Sequence, residues 1–281
     1  MQPIFFTKLS ILNTNYLILN YLEQPAPSLD YTYLAKLITH PKKGMLADKL
    51  IILLPSELAD YKIIVYTKDG MLHKMCGNGL QVIGHYLHEI DRFNQPETSI
   101  ETDANVSFLT DENKHTIVNL GFAHSLIESE HLLSQESQIN QYCGEIETNY
   151  GTWQADMISM GNPHFIIYTT ESHDTFFKEL EQISKKYQVN VGMLTIINSN
   201  EMQLTTYEYG VGLTEACVTN AAAALTSAII RRLIRPNEWI IIHLTGGDLQ
   251  LKWNNSSQLL ATSPCHKLCC GTYFFEEELV D

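Results

Sequence analysis

The sequence predicts an α/β (α+β) protein of 281 residues, built as two pseudo-symmetric lobes, each a mostly antiparallel sheet around a central helix. Three observations lead there. Short β-rich apolar runs alternate with amphipathic helical runs along the whole chain. The stretch "KMCGNGLQVIGHYL" (74–87) puts a cysteine and small residues directly before an apolar helix, and "LTEACVTNAAAALTSAII" (213–230) repeats the arrangement. Cys217 stands 141 positions after Cys76, about half the chain, so each lobe carries one copy.

The elements follow in order. "PIFFTKLSI" and "NYLILNYLE" read as strands around an Asn13-Thr14-Asn15 turn. A helix through "YTYLAKLITH" is capped by Ser28 or Asp30 and stopped by Pro41. "DKLIILLP" and "YKIIVYTKDG" are strands, the second closing in an Asp-Gly turn, and the first cysteine helix comes next. Alternation from Thr98 to Gly121 gives three short antiparallel strands. The polar segment His124 to Asn149 reads as the connection between lobes. The second half then runs strand "ISMGNPHFIIYT", helix "SHDTFFKELEQISKKY", strands "VNVGMLTIIN" and "MQLTTYEYG", the second cysteine helix, and the hairpin "EWIIIHLTGGDLQLKW". "SQLLATSP" and "GTYFFEEEL" complete the sheets. The expected lobes are 1–123 with 264–281, carrying Cys76, and 124–263, carrying Cys217.

Composition narrows the function. Eighteen basic against 32 acidic side chains give −14, which disfavours a phosphate-tracking surface and hence nucleic acid as partner. A small polar ligand fits better. No apolar run reaches the length of a bilayer span, so no membrane role is expected. The N-terminus lacks the pattern of a signal peptide, and a cytoplasmic location is the expectation. Six cysteines in a chain this long do not make a disulfide scaffold. Cys143 reads as an incidental residue in a loop. "CHKLCC" (265–270) lacks zinc-site spacing and lies in a strand-like pattern, so packing is favoured over metal.

The paired helix starts carry the chemistry. A thiol at a helix N-terminus meets the positive end of the macrodipole and unpaired amides, which favour thiolate and are expected to draw its pKa from about 8.5 toward neutrality. The amides of Gly77 and Asn78, and of Val218 and Thr219, can also hold a carboxylate. If the halves close on each other, one thiolate can remove an α-proton while the other thiol delivers one, inverting the centre without a cofactor.

At this point the residues resemble the cofactor-independent diaminopimelate epimerases. "MCGNG" (75–79), "MGNPH" (160–164) and "YEYGVGLTEACVTNAAAA" (207–224) look like that family's three hallmark segments, in order and suitably separated. Weaker similarity spans nearly the whole chain. The resemblance implies the two-lobed epimerase fold, Cys76 and Cys217 as the two-base pair, and His164 and Glu208 as neighbours that tune the thiols. It also implies Asn162 and Asn190 as substrate ligands, no cofactor, an amino-acid substrate and a homodimer.

The departures cluster. Tyr209 stands where the family places an arginine that grips the substrate's far carboxylate, and a phenol cannot replace a bidentate cation. Thr67 replaces a substrate-touching asparagine, Thr14 or a shifted Asn13 stands where another is expected, and Lys49 falls near the site in "LADKL". Val218 replaces a glycine. Diaminopimelate, LL to meso, is the default substrate, with Lys49 able to supply positive charge. An amino acid without a second carboxylate, such as histidine, is the alternative, with Tyr209 against its ring. An isomerase of the phenazine-biosynthesis type and a silent amino-acid-binding homologue remain competing readings.

Overall fold

The computed structural model describes residues 2–73, 77–93, 95–112, 115–127, 142–148, 151–169 and 176–276. They divide between two compact units, Met1–Val118 with Ser263–Asp281, and Asn119–Thr262. The first unit runs β1 (Gln2–Ile11), β2 (Thr14–Asn20), α1 (Tyr31–Ile38), β3 (Lys49–Leu54), β4 (Tyr61–Thr67), α2 (Gly77–Glu89), β5 (Glu97–Glu101), β6 (Val106–Glu112) and β7 (His115–Asn119). The second runs β8 (His124–Ser125), β9 (Cys143–Thr148), β10 (Gly151–Ser159), β11 (Pro163–Tyr168), α3 (Phe177–Tyr187), β12 (Asn190–Asn198), β13 (Glu201–Glu208), β14 (Gly212–Thr214), α4 (Val218–Ile230), β15 (Ile240–Leu244), β16 (Gly247–Trp253) and β17 (Leu259–Thr262). The chain closes as β18 (Cys265–Phe275), which pairs with β1.

Pairing within each unit follows one plan. The first has the order β18-β1-β2-β3-β4-β5-β6-β7, antiparallel except for parallel β2/β3 and β4/β5. The second has β9-β10-β11-β12-β13-β15-β16-β17, antiparallel except for parallel β11/β12 and β13/β15. Parallel neighbours need a crossover, and each is spanned by a helix: α1 and α3 in the first crossover of each unit, α2 and α4 in the second. The internal duplication is therefore a duplication of topology, strand by strand.

Strand alternation gives each sheet two apolar faces. On one face of the first unit, Leu17, Leu19, Leu50 and Ile52 pack with Leu34, Ala35 and Ile38 of α1. Asp30 starts that helix by accepting from the Thr32 and Tyr33 N–H groups at 2.9 and 3.1 Å. The second unit matches it, with Phe165, Ile167, Val191 and Met193 packing against Leu180 and Ile183 of α3. The cysteine helices are buried on nearly every side: Leu80 to Gly84 in α2, and Asn220 to Ala228 in α4. Four successive alanines, Ala221 to Ala224, keep α4 thin enough to be surrounded. In α2, Gly84 does similar work, since a Cβ there would fall 2.2 Å from Thr116 Cγ2.

Several local expectations change. The β1/β2 turn sits at Leu12 and Asn13, both left-handed, so Thr14 is the first residue of β2 and not mid-turn. "ISMGNPHFIIYT" is two strands, broken at Met160 to Asn162 where Gly161 has φ +92°. The expected connection 124–149 contributes β8 and β9, and Cys143 begins β9 instead of lying in a loop. "CHKLCC" lies in β18, and no group of metal-ligating side chains occurs among the described residues.

Candidate functional site

The site candidates of the second unit converge at one end of its sheet. His164 of β11 pairs with Asn190, the first residue of β12. Val191 pairs with Tyr207, so Asn190 stands next to Glu208, the last residue of β13. His164, Asn190 and Glu208 thus form a row across three strands, on the face that carries α4. The helix begins there, with Cys217 as its N-cap residue in an extended conformation.

Burial dominates the electrostatics of this corner. The Cys217 thiol is pushed up to about 12, first by removal from water and then by the Glu208 carboxylate, which lies within its hydrogen-bonding reach. The Thr219 hydroxyl, 3.4 Å from Sγ, and the Asn220 N–H pull the other way. The expectation of a thiol drawn toward neutrality is therefore corrected for Cys217. The helix end does favour thiolate, but desolvation and a facing carboxylate outweigh it. At neutral pH Cys217 rests as a thiol.

His164 is fully buried, and desolvation takes its pKa down to about 3, so its ring is neutral. Its Nε2 lies 2.9 Å from Asn162 Oδ1, which places the proton on Nε2 and leaves buried Nδ1 without a partner. Asn190 Oδ1 accepts the Tyr209 N–H at 2.9 Å, fixing the turn that follows Glu208. The Tyr209 side chain itself is about half exposed.

In the first unit the corresponding row is Tyr16, Lys49 and Thr67, on β2, β3 and β4. Lys49 Nζ donates to His73 Nδ1 at 3.0 Å and stands 5.8 Å from the centre of the Tyr16 ring. Thr67 closes its own turn, its carbonyl accepting from Gly70 and its hydroxyl from the Met71 N–H. Asn15, next to Thr14, is tied to Asp48 by bonds of 2.8 and 2.9 Å. Gly77 and Asn78 open α2. Cys76, the residue before it, lies outside the described residues.

The two rows correspond one to one. An offset of 141 relates Lys49 to Asn190, Thr67 to Glu208, Cys76 to Cys217, Gly77 to Val218 and Asn78 to Thr219. An offset of 148 relates Thr14 to Asn162 and Tyr16 to His164. Reading the sequence against itself at these shifts brings out Tyr16, which motif reasoning passed over. It also brings out Asn220, the counterpart of Gly79.

No family model matches the chain. Diaminopimelate epimerases of Bacillus cereus (strain AH187) and Bacillus anthracis (strain A0248) are each 28% identical to it over 287 residues, covering 99% of this chain and all of the relative. The chain is a divergent relative of the diaminopimelate epimerases. Its fold recurs in solved structures at much lower identity. A Bacillus anthracis phenazine biosynthesis protein of the PhzF family has TM-score 0.67 and 12% identity, over 98% of this chain and 100% of the other. A hydroxyproline epimerase from Agrobacterium vitis has TM-score 0.66 and 11% identity, over 99% and 94%.

A cavity of about 610 Å³ lies elsewhere in the second unit, lined by Trp153, Tyr168, Phe176, Met193 and Arg231 among others. Arg231 caps the far end of α4, some 20 Å from Cys217 at 1.5 Å per helical residue. None of the sequence-predicted residues lines it.

Proposed function

We propose that the protein is a cofactor-independent amino-acid epimerase or racemase in which Cys217 and Cys76 are the acid and base at one α-carbon. The observation that carries this reading is the environment of Cys217: a thiol at the start of a buried helix, protonated at rest, with the Glu208 carboxylate in reach. Such a group is an acid awaiting a carbanion. On delivering its proton to the α-carbon it becomes a thiolate, with the Thr219 hydroxyl and the Asn220 N–H positioned to hold the charge. Removal of the opposite α-proton by the Cys76 thiolate completes the inversion, and the reverse reaction exchanges the roles.

The amides of Gly77, Asn78, Val218 and Thr219 hold the α-carboxylate in this scheme, with Asn162 and Asn190 orienting the rest of the substrate. Neutral His164 shapes the pocket and does not add a charge to it. Glu208 adds to the burial that keeps Cys217 protonated at rest. The default substrate is diaminopimelate, LL to meso, as the names of the curated relatives suggest. Lys49, Thr14 and Thr67 on the first unit, with Tyr209 on the second, then determine the side chain accepted. Tyr209 brings no cation, which favours histidine or another amino acid without a distal carboxylate as the second candidate. A cytoplasmic homodimer completes the reading.

Incubation of single-enantiomer amino acids in deuterated buffer with reductant tests it, with diaminopimelate and histidine first. Deuterium at Cα is expected for at least one, and its loss in Cys217→Ala and Cys76→Ala. Absence of exchange with every substrate, together with ligand-induced thermal stabilisation, would establish the binding homologue instead.

A further inference from the structure

Asn220 is the odd residue of the second cysteine helix. It is fully buried, and neither its amide oxygen nor its amide nitrogen has a hydrogen-bond partner. A buried unpartnered amide costs stability. The duplicated unit avoids this cost, because Gly79 occupies the equivalent position of α2. The strand beneath changes in the opposite sense: Gly192 of β12 replaces buried Ile51 of β3. A Cβ on Gly192 would fall 2.4 Å from Asn220 Oδ1, so Gly192 is what leaves room for the amide.

The amide is not alone in lacking partners. Thr206, cross-strand from Gly192 and on the same face, has a buried hydroxyl without one, as does His164 at Nδ1. These groups share one sheet face, and Asn220 packs on that face at Gly192. Asn220 is the third residue of that helix, the position from which a side chain can fold back toward the N-cap. Its own N–H already points at the Cys217 sulfur.

We propose that Asn220 is a positioning residue for Cys217, holding an amide donor in reserve for the negative charge that appears on the sulfur when the thiol gives up its proton. Thr206 supplies a second donor from the strand. A preorganised buried dipole is most effective where charge develops only during the reaction, and it is left unsatisfied in the resting state for that reason. The idea rests on the reading of Cys217 as an acid–base group, but its test needs no substrate.

The experiment is the pH dependence of Cys217 alkylation by iodoacetamide in the intact protein, followed by mass spectrometry of the Cys217 peptide from pH 7 to 10.5. Asn220→Leu keeps the number and branching of heavy atoms and removes both polar groups. Asn220→Asp keeps the shape and removes the donor but adds a carboxyl that itself opposes thiolate, so Asn220→Leu is the deciding variant. Both are expected to move the rising limb about one unit to higher pH, equivalent to about tenfold slower alkylation at a fixed pH. Thr206→Val should move it in the same direction by less. The melting temperature of each variant is measured alongside, so that loss of the donor is separated from damage to the fold. Profiles that superimpose on the parent's for whichever Asn220 variants fold would overturn the proposal. Failure of all amino acids to exchange deuterium would refute the proposed reaction and leave this result standing.

Discussion

Acid should weaken this fold through His164, by an amount the structure sets. The ring is fully buried, its Nε2–H is committed to Asn162, and Nδ1 has no counter-charge, so the folded protein resists protonation until about pH 3. In the unfolded chain the same ring protonates near its ordinary 6.5. Between those values the unfolded state binds the extra proton, so stability from this group is complete above about 6.5 and is lost as pH falls. Each pH unit in the window costs about 1.36 kcal/mol, giving about 2 kcal/mol at pH 5. Urea unfolding at pH 7 and pH 5 measures it, with His164→Gln as the reference that cancels the other histidines. The parent should lose about 2 kcal/mol more than the variant between the two pH values. Equal losses, or the His164 imidazole itself titrating near 6.5 by NMR, would refute the assignment of a dry, neutral ring.

Three further outcomes follow from neighbouring geometry. Glu208→Gln removes the carboxylate that opposes the thiolate, so Cys217 should alkylate faster at pH 8, by about tenfold for each unit its pKa falls. Gly192→Ala should destabilise by about 1–3 kcal/mol in urea unfolding, since its Cβ meets Asn220 Oδ1, and combining it with Asn220→Gly should recover part of that loss. Asp156→Ala should cost about 3–5 kcal/mol, because Asp156 is nearly inaccessible and holds Arg231 through two contacts of 2.7 Å, a cation then left half-buried without its partner.

Much of this architecture was legible in the residues. The cysteine helices announce themselves by small residues leading into apolar runs, and α4 begins at Val218, directly after its thiol. Strand alternation located β3, β4, β12 and β13 to within a residue or two. The misses have physical causes. The apolar flanks of "ISMGNPHFIIYT" make it look like one strand, whereas Gly161 takes a left-handed φ and turns the chain. β9 escaped notice because "CGEIET" buries little more than Ile146, so it lacks the alternation of a strand with one apolar face. The state of Cys217 is not legible in the residues, which show a helix start but not how thoroughly the fold buries it.

The duplication carries a last consequence for mechanism. A repeated sheet-and-helix unit supplies two equivalent helix starts, but two identical thiol environments would favour the same protonation state at both. An acid–base pair needs opposite states. The second unit's row holds a carboxylate at Glu208, while the first has a hydroxyl at Thr67 and a cation at Lys49, joined to His73 three residues before Cys76. Anionic surroundings keep a thiol protonated and cationic ones favour thiolate. In the proposed two-base reading, divergence between the halves at Lys49/Asn190 and Thr67/Glu208 is the asymmetry that a duplicated scaffold would need. At Gly79/Asn220 the same divergence would give the side proposed to rest as acid a donor for the charge it later bears.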